Sequence, residues 1–124
     1  MANILVVDDS ALSRRILRRI LESAGHSIHE ADDGMVALEQ YLLDQPDLVL
    51  LDMTMRGMHG LDVLGKLREL DPHARVIVAT ADIQRSTREL VDAAGGSGFV
   101  SKPFEAERLL SAVATVLSGG TSWI

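Results

Sequence analysis

Cysteine is absent from the 124-residue chain, which excludes a disulfide framework and thiolate metal sites. No stretch approaches the ~18 apolar residues of a membrane-spanning helix. Met1-Ala2-Asn3 runs straight into Ile4-Leu5-Val6-Val7, so no basic-then-apolar leader is read at the start. These absences together predict a soluble, cytoplasmic setting. Positive charge is also scarce: 12 Lys and Arg stand against 18 Asp and Glu, a formal net charge of −6. General nucleic-acid binding, which needs a basic footprint, is therefore not expected, and neither is a membrane partner. The length suits one compact domain, with ~68% of the unfolded surface buried on folding. We read that domain over residues 1–118 and a flexible, Gly/Ser-rich tail over 119–124.

What is present is a repeated alternation of apolar runs and amphipathic stretches. Leu48-Val49-Leu50-Leu51 is unbroken and ends at Asp52. A strand without alternation is covered on both faces, as in a parallel sheet between helix layers. Ile4–Val7 reads the same way and ends at Asp8-Asp9, and Val76–Ala79 ends at Thr80. Ser27–Ala31 is more polar and suits an edge. A short fifth run, Phe99-Val100-Ser101, leads into Lys102-Pro103. Between the strands, Leu12, Ile16, Leu17, Ile20 and Leu21 mark the core face of a first helix, and Met35, Leu38, Leu42 and Leu43 that of a second. Further helices are predicted from Gly60, over about Arg85 to Ala94, and through Leu109 to Leu117. Five βα units without a self-similar repeat are too short for the ~250 residues of a barrel. They predict an α/β fold, a doubly wound five-stranded parallel sheet of flavodoxin-like order 2-1-3-4-5 with helices on both faces.

That order brings the carboxyl ends of the first, third, fourth and fifth strands together. Asp8, Asp9, Asp52, Thr80 and Lys102 then meet at one edge. Each residue alone has an ordinary explanation, since aspartates cap helices and a threonine often ends a strand. Three facing carboxylates repel and call for a cation. Magnesium suits a few carboxylates plus phosphate oxygens, with manganese as a possible substitute. Cation, lysine and hydroxyl together can neutralise a phosphoryl group in transfer, with Asp52 as the nucleophile.

Val6-Val7-Asp8-Asp9-Ser10, Leu50-Leu51-Asp52-Met53-Thr54-Met55, Gly60, Ala79-Thr80-Ala81 and Lys102-Pro103-Phe104 resemble the receiver domain of bacterial two-component response regulators. The resemblance runs up to the tail and is to the single-domain, chemotaxis-regulator-like type. It implies that Asp52 accepts a phosphoryl group from a sensor histidine kinase or a histidine phosphotransfer protein. Asp9 and Asp52 would ligate magnesium directly, Asp8 through water, and the Thr54 backbone carbonyl would complete the protein ligands. Lys102 would pair with the phosphoryl group, and its bond to Pro103 would be cis. Thr80 and Phe99 would form the switch pair, with Phe99 rotating inward. The surface of the fourth helix, fifth strand and fifth helix would carry the output. Thr54 and Asp82 would tune the phosphoryl lifetime. The resemblance further implies weak intrinsic autophosphorylation and autodephosphorylation without a separate substrate, and a monomer or a weak phosphorylation-dependent dimer.

Some positions depart from the family pattern. Arg56 stands where proline is usual, and His59 where an acid is common; a lone loop histidine is weighed as solvated rather than as a metal ligand. Gly96 replaces a common alanine and is expected to loosen the turn before the last strand. Arg14, Arg15, Arg18 and Arg19 are weighed as a solvated face, with docking of a kinase or phosphotransfer bundle as the functional version. A phosphatase of the haloacid dehalogenase kind would want an acid at Thr54. A flavin carrier would want a phosphate loop where Asp8-Asp9 stand, and a pseudo-receiver would not need the acceptor, acid pair, threonine and lysine together. No stretch is left for a DNA-binding output module, so output is expected to come from protein partners.

Overall fold

The strands lack alternation because side chains from both faces of the sheet are buried. The computed structural model describes residues 1–55 and 57–123. Its elements alternate without exception: β1 (Asn3–Val7), α1 (Ala11–Ser23), β2 (Ser27–Ala31), α2 (Gly34–Asp44), β3 (Leu48–Asp52), α3 (Gly60–Leu70), β4 (Val76–Thr80), α4 (Arg85–Ala93), β5 (Gly98–Ser101) and α5 (Ala106–Leu117). All strand pairs are parallel, in the order β2-β1-β3-β4-β5. Leu5, Val7, Val49, Leu51, Val76 and Val78 point into a core shared with α2, α3 and α4. Their neighbours Ile4, Val6, Leu48, Leu50, Ile77 and Ala79 point the other way, towards α1 and α5. A period of two on each face thus sums to a continuous apolar run.

Local chemistry sets the helix starts. Ser10 Oγ accepts from the Ser13 amide at 3.2 Å, and Asp33 Oδ1 from the Val36 amide at 2.9 Å. His59 is the N-cap of α3, its Nδ1 accepting from the Leu61 amide at 3.1 Å, so the loop histidine caps a helix. Arg56 lies outside the described residues.

The buried faces of two helices differ from their apolar periodicity. On α1, Leu17 and Leu21 are buried, whereas Leu12 is 66% and Ile16 40% exposed. On α2, Ala37 and Tyr41 face the sheet, while Met35, Leu42 and Leu43 lie in solvent. Both helices carry more apolar residues than one contact face holds, and packing selects among them. Ala37 allows close approach, and the Tyr41 hydroxyl donates to Asp71 at 2.7 Å from a half-polar margin. Gly96 sits in a close-packed turn, its amide donating to Val91 O at 2.9 Å. A Cβ there would lie 2.5 Å from Val91 Cγ1, so the missing methyl is space that Val91 fills.

The segment after α5 makes defined backbone contacts. Gly119, at φ +98°, donates to Val116 O, and Gly120 donates to Thr115 O, both at 3.0 Å. This pair of bonds is a Schellman motif, which turns the chain back on the helix. Ser122 then forms a parallel bridge with Gly98 on the outer edge of β5. Glycines that read as flexibility in composition serve here as a helix stop.

Candidate functional site

The sheet reverses its winding between β1 and β3, and ligands of open α/β sheets bind outside the strand ends at such a point. Register does the positioning. Val7 pairs with Leu51, so Asp8 and Asp52 leave adjacent strands side by side. Thr80 pairs with Ser101, and the Lys102 amide donates to Thr80 O at 2.9 Å. The lysine is thereby anchored one residue beyond the sheet and turned back over it.

Asp8, Asp9 and Asp52 each bring a carboxylate oxygen within 4.8 Å of the others. Asp8 is 1% and Asp52 6% exposed. Lys102 Nζ donates to Asp8 Oδ2 at 3.2 Å and to Asp52 Oδ1 at 3.0 Å. Its ammonium also lies 5.9 Å from the Phe104 ring centre. The Ser10 amide donates to Asp8 Oδ1 at 2.8 Å, and Arg14 Nη1 to the Asp8 carbonyl at 2.6 Å. The Lys102–Pro103 peptide bond is cis.

Burial pushes the Asp52 carboxyl above the usual carboxylate range. The Lys102 hydrogen bond opposes this, the Asp8 charge adds to it, and the Thr54 backbone amide helps to hold it down. Burial alone would lower Lys102, yet its bonds to two carboxylates leave it above the ordinary lysine value. The shifts are consistent, because Lys102 sees two anions whereas Asp52 sees one cation and one anion. Lys102 serves Asp8 and Asp52 at once, so two buried carboxylates share one ammonium. Hard oxygen donors at this spacing fit a magnesium-type cation.

The floor of the site allows no side chain at residue 60. A Cβ on Gly60 would lie 2.5 Å from the Asp52 carbonyl and 2.6 Å from Met53 Cα, and the Gly60 amide donates to Met53 O at 2.9 Å. The loop after Asp52 folds back through this contact, with Met53 and Met55 buried beneath it.

Other predicted residues surround the cluster without joining it. Thr80 is 5% exposed, and its Oγ1 accepts from the Asp82 amide at 3.0 Å. Asp82 directs its carboxylate to the start of α4, accepting from Thr87 Oγ1 at 2.7 Å and from the Gln84 amide at 3.0 Å. Phe99 is 4% exposed, with Arg88 5.4 Å over its ring. The ring expected to rotate inward is therefore already covered. Thr87 and the Arg14 contact with the Asp8 carbonyl are not among the expected site features. An acid three residues ahead of a helix is a recognisable capping signal, whereas the Arg14 contact has no local one.

The sequence matches the family model of the response regulator receiver domain over residues 4–114. The chain belongs to the response regulator receiver family. It is 39% identical to chemotaxis protein CheY of Bacillus subtilis over 118 residues, covering 93% of this chain and 97% of that one. It is 36% identical to chemotaxis protein CheY of Thermotoga maritima, covering 89% and 92%. Among solved structures, the CheX-CheY-BeF3-Mg+2 complex from Borrelia burgdorferi contains a chain 33% identical, with a TM-score of 0.89 over 92% of this chain and 87% of that one. Vibrio cholerae CheY4 superposes with a TM-score of 0.88 at 28% identity, covering 92% and 97%. The receiver fold and the five-strand order are those of these neighbours. Receivers are phosphoacceptor switches of two-component signalling, and the acidic cluster is compatible with magnesium. Among the described residues, no helix is long and apolar enough to cross a membrane.

Proposed function

We propose that this receiver accepts a phosphoryl group on Asp52 from a histidine kinase or histidine phosphotransfer protein and relays the change to protein partners. The observation that carries this is the pairing of a buried carboxylate with Lys102 at 3.0 Å inside a three-carboxylate cluster. An oxygen of Asp52 attacks phosphorus in line, the bond to the donor's imidazole nitrogen breaks, and that nitrogen keeps the electron pair. Asp9, Asp52 and the Thr54 carbonyl would hold magnesium directly, and Asp8 through water. When bound, the ion supplies the positive charge that lets a phosphoryl group approach three carboxylates. Lys102 exchanges a carboxylate partner for a phosphoryl oxygen. A small donor such as acetyl phosphate would serve in place of the protein donor, which gives weak self-phosphorylation, and water reverses the modification slowly.

Thr80 donates its hydroxyl to the new oxygens, since its lone pair already serves the Asp82 amide. Thr54 and Asp82 flank the path of the attacking water and set the lifetime. Asp82 does so from the start of α4, so its influence passes through that helix as well as through charge. Output is read on the face made by α4, β5 and α5.

The donor docks on α1. Arg14 and Arg18 are engaged with Glu30 of β2, at 2.9 and 2.6 Å. Leu12, Arg15, Ile16 and Arg19 remain exposed at i, i+3, i+4 and i+7 spacing, a mixed apolar and basic strip beside the site. It suits a helical bundle with an acidic rim.

The deciding experiment is mass spectrometry of protein treated with acetyl phosphate, with magnesium or with chelator. The wild type gains one phosphoryl group with magnesium, and Asp52→Asn gains none. Equal labelling in chelator, or labelling that survives in Asp52→Asn, refutes the assignment.

A further inference from the structure

The outer edge of β5 is occupied. Ser122 O accepts from the Phe99 amide at 2.9 Å, and the Ser122 amide donates to Ser97 O at 3.0 Å. An edge strand offers such groups to any extended segment, and here the chain supplies its own. Gly98 makes room for it. A Cβ at Gly98 would lie 2.1 Å from Ser122 O, and the three nearest atoms all belong to the Ser122 backbone. Trp123 packs against the core that contains Phe99, and together with Arg85, Arg88, Glu89 and Asp92 of α4 it lines a surface pocket. The glycine turn after α5 sets the return path, and the bridge fixes its end.

We infer that residues 119–123 are an intramolecular ligand that masks the output face, docked in the unmodified protein and released when Asp52 is modified. The inference rests on the proposed switch. A series of contacts links Thr80, at the strand end beside the cluster, to the segment. Thr80 Oγ1 holds the Asp82 amide at 3.0 Å, Asp82 holds Thr87 at 2.7 Å, Arg88 covers Phe99 at 5.4 Å, and Phe99 holds Ser122 at 2.9 Å. Drawing Thr80 towards a phosphoryl group pulls on the start of α4 and so on the cover of Phe99. A partner reading α4 and β5 must displace Ser122 and Trp123. If modification favours release, release favours modification by the same factor.

Trp123 is the only tryptophan, so its emission reports the segment directly. Hydrogen exchange at the Phe99 amide reports the bridge, and at the Met53 amide, bonded to Ala79 O within the sheet, the fold. In the full chain with magnesium, beryllofluoride should raise acrylamide quenching of Trp123 and lower protection of the Phe99 amide about tenfold or more. Gly98→Ala should do the same without beryllofluoride, leave the Met53 amide protected, and reduce the beryllofluoride concentration at half-response. Should Gly98→Ala fold poorly, Trp123→Ala replaces it, read at the Phe99 amide alone. A Phe99 amide or Trp123 already open in wild type overturns the docking, and so does a Phe99 amide unchanged in both variants. Beryllofluoride that shifts the Met53 and Lys102 amides but not Trp123 overturns the linkage while leaving the phosphoacceptor intact. No response at any of these positions removes the phosphoacceptor reading and the linkage together.

Discussion

Replacing Lys102 with glutamine isolates the electrostatics of the site. The ammonium lies 3.2 Å from Asp8 and 3.0 Å from Asp52, both nearly inaccessible carboxylates. Each contact is worth roughly 5 kcal/mol of bare attraction at an effective dielectric of ~20. Most of that offsets desolvation, and removing one partner of a buried pair costs about 3–5 kcal/mol. The Lys102 side chain is 25% exposed, and a proton on Asp52 can stand in for the lost cation. The unfolding free energy should therefore fall by about 2–3 kcal/mol at neutral pH in chelator. The pH dependence has a definite sign. Burial and the Asp8 charge already raise Asp52 above the ordinary carboxylate range, and losing Lys102 raises it further. A carboxyl raised in the folded state gains relative stability as pH falls through that raised value towards the ordinary one. The deficit of Lys102→Gln should shrink across that window, and magnesium at neutral pH should recover part of it. Urea unfolding of both proteins, at neutral and mildly acidic pH, with magnesium or chelator, measures all of this. A neutral-pH deficit in chelator below about 0.5 kcal/mol, or one indifferent to both pH and magnesium, would refute the reasoning.

Three further outcomes are expected. Tyr41→Phe should cost about 1 kcal/mol in urea unfolding, from the lost bond to Asp71. That bond is the main reason Asp71 lies below the usual carboxylate value, so the loss appears above the ordinary range and fades as pH falls through the lowered one. Reversing Arg15 and Arg19 to glutamate should slow phosphotransfer from a kinase panel about tenfold at low salt, with acetyl phosphate labelling unchanged; reversing Arg14 and Arg18 should instead lower stability through Glu30. Asp82→Ala should alter phosphate release after removal of the donor while leaving the labelling rate nearly as it was, and an unaltered release rate would exclude a lifetime role.

The alternation of elements, the sheet order and the meeting of Asp8, Asp9, Asp52 and Lys102 at one sheet edge were legible in the sequence. Apolar runs ending in Asp8, Asp52 and Thr80 carry both signals at once: the run demands two helix layers, and the polar residue marks the strand end where layers stop. Only tertiary structure decided which apolar residues are core. Leu12 and Ile16 share a helix with Leu17 and Leu21, but one side of α1 meets the sheet and the other faces water. The roles of Asp82 and His59 as partners of helix starts depend on backbone amides that composition does not place. Gly98 and Ser122 are 24 residues apart in number and touch only because α5 runs back along β5 and Gly119 turns the chain. Local pattern determines which element a residue joins. Contacts between elements distant in sequence determine what that residue does there, because burial and partners arise only when the elements meet.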